Sequence, residues 1–467
     1  MDGSWLALIP FLVVIPVAIW TKQIIPGLTL GLLIGSYLVE PTILGGLQKT
    51  LSYLIKTLQE ENNLKIIIFL YLFSGLIEII KISGGIKGFV EYISVKINTK
   101  TSALLLTWFS VIGTFSAPTF RIVTITPIMK ALLQRIKLST QELGFMIEVT
   151  STPIIVLIPI ATAFVGYMIS LIELALTNYG LEGNAYNLFI QSIPFNFFSI
   201  AMISLGLYLS FFHRSTDREM SFKNTPPDAE DWHECHPVVS DELPSKPLNL
   251  IIPIILSLVL TFVITWWDGY QKTANHFKAF LEADVLAAMV ISLIITFFCT
   301  TILFLFQKIA LTEIISHFIC GGNELMKIIL LLTLVWGISA VTEDLGLSAL
   351  ITNHTAWVPK QFVPPIIFII GAILSYFIGS SWGTWGILMP LGMSLAQVAA
   401  SPFPLIIGAI FAGGTFGAFA SPLSGNTVTI AKILNLPLLE YTKYKLKPAL
   451  IAAGVSVFLY LISAILL

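Results

Sequence analysis

Apolar residues fall in long runs, at 5–20, 24–39, 64–80, 102–115, 154–172, 187–211, 248–266, 284–306, 325–342, 363–378, 403–417 and 448–467. Each is close to, or slightly short of, the roughly 20 residues that carry a helix across the hydrocarbon core of a bilayer. A backbone in lipid must satisfy its hydrogen bonds inside its own segment, so the runs predict helices. A membrane β-barrel would instead show strands of about ten residues with alternating polarity, a pattern this sequence lacks. The expected fold class is an all-α polytopic membrane protein.

One polar insert breaks the series. Residues 212–246 (FHRSTDREMSFKNTPPDAEDWHECHPVVSDELPSK) are rich in Pro and charge and have no apolar period. The insert predicts a first transmembrane half at 1–211, a linker at 212–246 and a second transmembrane half at 247–467. His213, Arg214, Arg218 and Lys223 follow a span directly, which assigns the linker to the cytoplasm, because Lys and Arg concentrate on that side. Lys443, Lys445 and Lys447, ahead of the last run, point to the same side. The opening Met-Asp-Gly-Ser-Trp has neither a basic n-region nor a small-residue cleavage site, so the first span is expected to be retained.

Composition sharpens this picture. Charged residues make up 11% of the chain, against about 25% in soluble domains, and mean hydropathy is +0.89. With 25 Lys+Arg and 26 Asp+Glu, no polar coat is available for a soluble enzyme of this size. The net charge of -1 gives no basic field for nucleic acid. The expected surroundings are a lipid bilayer, with a bacterial inner membrane as the setting and a homodimer left open. Cys235, Cys299 and Cys320 are too scattered for a disulfide framework. His233, Cys235 and His236 lack the second cluster that a tetrahedral metal site needs.

The chemistry lies where polar residues interrupt apolar runs. The first half holds Gly113-Thr-Phe-Ser-Ala-Pro-Thr119, leading to Arg121, and Glu148-Val-Thr-Ser-Thr-Pro153. The second half holds Gly379-Ser-Ser-Trp-Gly-Thr-Trp-Gly386 and Gly417-Ala-Phe-Ala-Ser-Pro-Leu-Ser-Gly-Asn-Thr427. In each half the two breaks lie roughly 35–40 residues apart, the layout of paired repeats with discontinuous helices around a midplane site. Unwound backbone has to line a protein or water-filled cavity, and Ser and Thr add neutral oxygens suited to Na⁺ or polar solutes. The candidate ligands are therefore Ser116, Thr119, Arg121, Glu148, Thr150, Ser151, Thr152, Ser380, Ser381, Thr384, Ser421, Ser424, Asn426 and Thr427. Close packing at a kink is the competing explanation for any single break.

At these residues the chain resembles the NhaC-type sodium/proton antiporters of the wider ion-transporter group. The motifs are Lys137-Leu-Ser before Glu148-Val-Thr-Ser-Thr-Pro153, Val341-Thr-Glu-Asp-Leu-Gly346, Ser381-Trp-Gly-Thr, and Gly414-Thr-Phe-Gly followed by Ser421-Pro-Leu-Ser424. The resemblance implies inverted repeats with two re-entrant hairpins, at 101–130 and about 363–395, and two discontinuous helices. It also implies cation-coupled alternating access, with Na⁺ or H⁺ as the coupling ion and no other cofactor. Several acids of the family are absent. Where relatives carry an Asp pair, this chain has Ala117-Pro118, and a following Asn corresponds to Arg121. Ala418-Phe419 stands for Asp-His, and Gly425 for a later Asp.

The remaining acids are Glu148 and the pair Glu343 and Asp344, the candidates for proton coupling; Glu148 is alternatively a helix-end carboxylate in the headgroup region, and Glu343 and Asp344 a solvated helix end. A neutral Na⁺ site would draw on Ser421, Ser424, Asn426 and Thr427. Arg121, which cannot be deprotonated and can bind a carboxylate through two N–H groups, is expected either to pair with Glu148 or to face an anionic solute. Glu78 and Lys81 are expected to pair at a helix end. The function is thus that of a secondary active transporter. Na⁺/H⁺ antiport is implied by resemblance, and Na⁺- or H⁺-coupled transport of a small organic carboxylate or amino acid is the alternative. A channel or a non-transporting receptor is a weaker reading. No nucleophile–base pair or metal cluster in the spans suggests an enzyme.

Overall fold

A computed structural model describes residues 5–21, 23–94, 99–115, 118–133, 138–160, 162–178, 180, 183–211, 244–274, 276, 279, 283–347, 349–350 and 359–467. Every regular element among them is a helix. The chain starts with α1 (Ile9–Thr21), α2 (Ile24–Val39), α3 (Ile43–Gln59), α4 (Glu61–Ile82) and α5 (Gly85–Ser94). Next come α6 (Lys100–Phe109), α7 (Val111–Thr114), α8 (Pro118–Leu132), α9 (Thr140–Val149) and α10 (Thr152–Ile155). Three more precede the polar insert: α11 (Ala163–Asn178), α12 (Ala185–Ser192) and α13 (Phe197–Phe211). After it follow α14 (Leu248–Thr273), α15 (Val285–Phe306), α16 (Leu311–Glu324), α17 (Met326–Asp344) and α18 (Val363–Ile378). The last four are α19 (Ser381–Val398), α20 (Phe403–Ala420), α21 (Gly425–Leu434) and α22 (Leu438–Leu466).

Six helices among the described residues are long and apolar enough to cross a membrane, and α12 with α13 makes a seventh candidate bent by 45°. The chain is therefore an integral, multi-pass membrane protein. The bend coincides with Pro194 in the 3₁₀ turn Ile193–Phe195, where the missing N–H interrupts the helical ladder. Two of the apolar runs differ from the expectation. The run at 102–115 is divided between α6 and α7, and the run at 154–172 between α10 and α11. Both carry Ser, Thr or Pro, which supply local alternatives to the helical hydrogen bond or remove its donor.

α20 is the central column. Within Phe403–Leu434 the apolar 18-residue stretch is 89% buried, against 33% for that of Leu248–Thr273 and 28% for that of Leu438–Leu466. Lipid offers no hydrophobic drive for helices to associate, so close approach has to come from small residues. At Gly417 an added Cβ would lie 2.1 Å from the carbonyl carbon of Ser375, and at Gly413 3.0 Å from the Cα of Gly371. α18 and α20 can touch only because both positions are glycine. Ser375 Oγ then donates to the Gly413 carbonyl at 2.7 Å and accepts from the Gly417 N–H at 3.0 Å. Gly414 makes room for Trp385, whose indole N–H donates to the Phe411 carbonyl at 3.1 Å. Trp385 and Trp382 pack with Phe164 and Tyr167, so both tryptophans are parts of an aromatic core.

Candidate functional site

α9 ends in the break Glu148–Pro153. Ser151 leaves helical geometry at φ −96 and ψ −101, and Pro153 opens the short α10. Local hydroxyls bond to the carbonyls of the last turn: Thr150 Oγ1 donates to the Met146 carbonyl at 2.8 Å, and Ser151 Oγ to that of Ile147 at 2.6 Å. The second half repeats the device between α20 and α21. Ser424 Oγ donates to the Ala418 carbonyl at 2.6 Å, and Ser421 Oγ to that of Tyr376 at 2.6 Å. These contacts satisfy polar groups that lipid cannot hydrate.

The two breaks face each other across a buried charge cluster. Glu148, in the last turn of α9, and Lys445, on α22, have fully buried side chains with Oε1 and Nζ 2.6 Å apart. Thr427 Oγ1, in the first turn of α21, donates to Glu148 Oε1 at 3.0 Å and itself accepts from Lys445 Nζ. Tyr441 O–H donates to Glu148 Oε2 at 2.7 Å. The ammonium also lies 5.2 Å from the ring centre of Phe419 and 5.1 Å from that of Tyr441. Two desolvated charges are tolerable only with such geometry and with their remaining valences met.

Asn426 joins three of the four breaks. Its amide Nδ2 donates to Thr152 Oγ1 at 2.9 Å, and its Oδ1 accepts from Thr119 Oγ1 at 3.4 Å. Thr119 is exposed and Asn426 half-buried, while Thr152, Thr427 and Glu148 are buried. The polar set therefore runs inward from an accessible edge to the charge pair.

Arg121, on α8, is also fully buried, but the structure does not pair it with Glu148. Its Nη1 donates to Ser110 Oγ at 3.0 Å and Thr114 Oγ1 at 2.7 Å; its Nη2 donates to Thr150 Oγ1 at 2.7 Å and to the Thr107 carbonyl. Nε has no partner among the described residues, and Arg121 makes no salt bridge there. The reason for the correction is geometric. The hydroxyls of Ser110, Thr114 and Thr150 and the Thr107 carbonyl surround the guanidinium, and α22 brings a different cation to Glu148.

The other candidates separate. Ser380 caps α19 through the Gly383 N–H, and Thr384 bonds back to the Ser380 carbonyl. Ser381 is buried beside them. This third break meets the fourth where Gly379, at φ +73, abuts Leu423. Of the four neutral Na⁺ candidates, Ser421 and Ser424 serve the carbonyls of α18 and α20, whereas Asn426 and Thr427 face the first half. Asp344 is exposed at the end of α17, accepts from the Tyr53 hydroxyl at 2.6 Å and lies 3.7 Å from Lys49. Glu343, beside it, is only half-buried. Glu78 and Lys81 do pair, at 2.6 Å. Ser116, Ala117, His233, Cys235 and His236 lie outside the described residues.

Lys445 and Tyr441 are the residues that sequence reasoning missed. Lys443, Lys445 and Lys447 look alike as a basic flank, yet positions two apart on a helix do not face the same way. Lys443 and Lys447 are exposed and Lys445 is buried. The signal was the helical period of Tyr441, Lys445, Ala449, Ala452, Ser456 and Tyr460, all on the buried face of α22. An apolar cavity of about 400 Å³ lies apart from this site, bounded by Phe115, Ile158 and the Leu250–Leu258 side of α14. No group of three or more metal-binding side chains occurs among the described residues.

Comparison with known proteins extends this picture. The profile of the Na⁺/H⁺ antiporter family matches residues 155–465. An uncharacterized protein of Haemophilus influenzae is 27% identical over 453 residues, covering 91% of this chain and 84% of its own length. The malate-2H⁺/Na⁺-lactate antiporter of Bacillus subtilis is 33% identical over 111 residues, 23% of this chain and 22% of that protein. Among solved structures, the Alcanivorax borkumensis YdaH transporter aligns with TM-score 0.59 at 13% identity, over 89% of this chain and 88% of that one. MtrF of Neisseria gonorrhoeae, described with a class of antimetabolite efflux pumps, aligns with TM-score 0.52 at 13% identity, over 89% and 84%. The fold is shared with transporters.

Proposed function

Since this chain belongs to the Na⁺/H⁺ antiporter family, we propose that it is a secondary active transporter that moves a small carboxylate-bearing solute by alternating access at the junction of its broken helices. The coupling ion is Na⁺ or H⁺, and the setting is a bacterial inner membrane. One observation carries this reading. Among the described residues, the fully buried charges of the junction are Arg121, Lys445 and Glu148; the last two form a pair, and Arg121 is bonded there to neutral oxygens. One positive charge is left over in a low-dielectric interior, where it repels Na⁺ and attracts an anion. The Bacillus subtilis relative is named for two small carboxylates, malate and lactate, which supports the same solute class.

Plain Na⁺/H⁺ antiport is the second reading, favoured by family membership and by the carboxylate of Glu148 beside the hydroxyl of Thr427. In both readings the helix pairs near 101–130 and 363–395 are the re-entrant hairpins of two inverted repeats, and the Thr119–Asn426–Thr152 bridge opens and closes with the transport cycle.

A thermal-shift screen of the purified protein against lactate, malate, amino acids, Na⁺ and Li⁺ separates the readings, followed by flux into vesicles with a pH dye inside. Small carboxylates are expected to raise Tm and to be taken up. Arg121→Gln should abolish both effects. Arg121→Lys should retain part of the binding, because it keeps the charge and loses the planar fork. Na⁺-driven proton movement with no carboxylate present, and no shift by any carboxylate, would return the assignment to cation exchange.

A further inference from the structure

We infer that the Lys445 ammonium is a tethered cation that occupies the place of a Na⁺ ion at Glu148, and that the same pocket becomes a Na⁺ site when the ammonium is removed. The inference rests on the reading of this junction as the transport site and specifies how its coupling charge is supplied.

The geometry points this way in three respects. First, the ammonium takes one oxygen from Glu148, at 2.6 Å, and another from Thr427. A carboxylate and a hydroxyl oxygen are the hard donors a small monovalent cation would select. Second, the partners come from α9 of the first half and α21 of the second, both at broken helices, where a mobile ion would have to bind to sense movement between the halves. Third, the two aromatic faces of Phe419 and Tyr441 cover the rest of the ammonium. A cation–π contact suits an ammonium well.

The ionic consequences differ from those of an ordinary buried salt bridge. Glu148 keeps Tyr441 and Thr427 as donors whatever happens to Lys445. Removing the ammonium therefore leaves a desolvated carboxylate, a hydroxyl oxygen and an emptied side-chain volume. A buried carboxylate without a counter-charge is strongly unfavourable, so the vacated space selects a small cation. Wild-type protein has no such vacancy.

The test uses the full-length protein, purified in detergent, with Tm measured in NaCl, KCl and choline chloride at equal ionic strength. Wild type is expected to have the same Tm in all three salts. Lys445→Ala should gain a Na⁺-selective rise in Tm of several degrees, as expected when the ion stands at about 100 times its Kd. Glu148→Gln/Lys445→Ala should lose that rise. Lys445→Met, which refills the volume without charge, should show a smaller rise than Lys445→Ala.

Two results would overturn the inference. One is a Lys445→Ala protein that elutes as a single folded species and is indifferent to Na⁺. The other, which does not depend on that variant folding, is a Na⁺-selective stabilisation of wild type that Thr427→Val removes. The solute reading fails separately. Carboxylates that bind wild type while Lys445→Ala ignores Na⁺ refute only the tethered cation, and the reverse pattern refutes only the carboxylate solute.

Discussion

Arg121 and Lys445 are both cations with no exposed surface, yet their surroundings differ in kind. The guanidinium is held by three hydroxyls and one carbonyl, all neutral. The ammonium is held by a carboxylate, a hydroxyl and two rings. Arg spreads its charge over five fixed donors and is weakly hydrated, so neutral acceptors can satisfy much of it; Lys concentrates its charge at one strongly hydrated point. Removing either cation therefore has unlike consequences. Without Arg121, the hydroxyls of Ser110, Thr114 and Thr150 keep the bonds they already donate to carbonyls of their own segments. Without one member of the Glu148–Lys445 pair, the other is a buried charge with no opposite.

The largest expected effect breaks the charged side of this comparison. Glu148→Ala should cost roughly 3–5 kcal/mol, the usual penalty for leaving one partner of a buried pair. Adding Lys445→Met should recover most of the loss, measured as thermal unfolding in detergent. If the double variant is no better than Glu148→Ala, the pair is not a closed unit. Arg121→Met should cost less, about 1–3 kcal/mol, set by the polar groups it leaves behind. A loss equal to that of Glu148→Ala would mean that Arg121 has an acidic partner after all.

Asn426→Ala comes next in size. It removes two neutral hydrogen bonds, each worth about 1 kcal/mol, but they span three breaks. The expected result is a modest drop in Tm with a clear change in transport rate, measured in vesicles. Equal rates for the variant and wild type would take the bridge out of the cycle. The smallest effect is expected at Asp344, whose partners Lys49 and Tyr53 sit at an exposed helix end. Asp344→Asn should change stability by less than about 1 kcal/mol, as for surface pairs, and should leave transport unchanged. A transport defect there would revive the proton-coupling role that its motif suggests.

Much of the scaffold was legible because lipid forces a simple code: apolar runs become helices, and polar residues inside them mark places where backbone is freed. That code singled out Thr119, Glu148, Thr152, Asn426 and Thr427, which the fold does gather. It could not pair them, since the contacts join residues hundreds of positions apart and depend on how α9, α21 and α22 cross. Lys445 was missed for a different reason. Its neighbours Lys443 and Lys447 are a true solvated flank, and counting charge along the sequence hides a residue that the helical turn rotates inward. Ser380 differs from these residues: its hydroxyl lies near a break and caps its own helix start.

The length of α22 has an electrical consequence. Its 29 residues extend about 43 Å at 1.5 Å per residue. The charge-free stretch 448–467 accounts for about 30 Å of that, the thickness of the hydrocarbon core. Lys445 precedes this stretch by three residues, about 4.5 Å along the axis. With the hydrocarbon core laid over this stretch, the pair with Glu148 lies near one face, off the midplane that paired repeats would suggest, though wrapped in protein. A charge moved across the whole membrane gains or loses about 2.3 kcal/mol per 100 mV, and almost none of that drop lies between the pair and its nearer face. Under the alternating-access reading proposed above, ion exchange from the near side would be insensitive to voltage, and the membrane potential would act on the half-cycle that opens toward the far side.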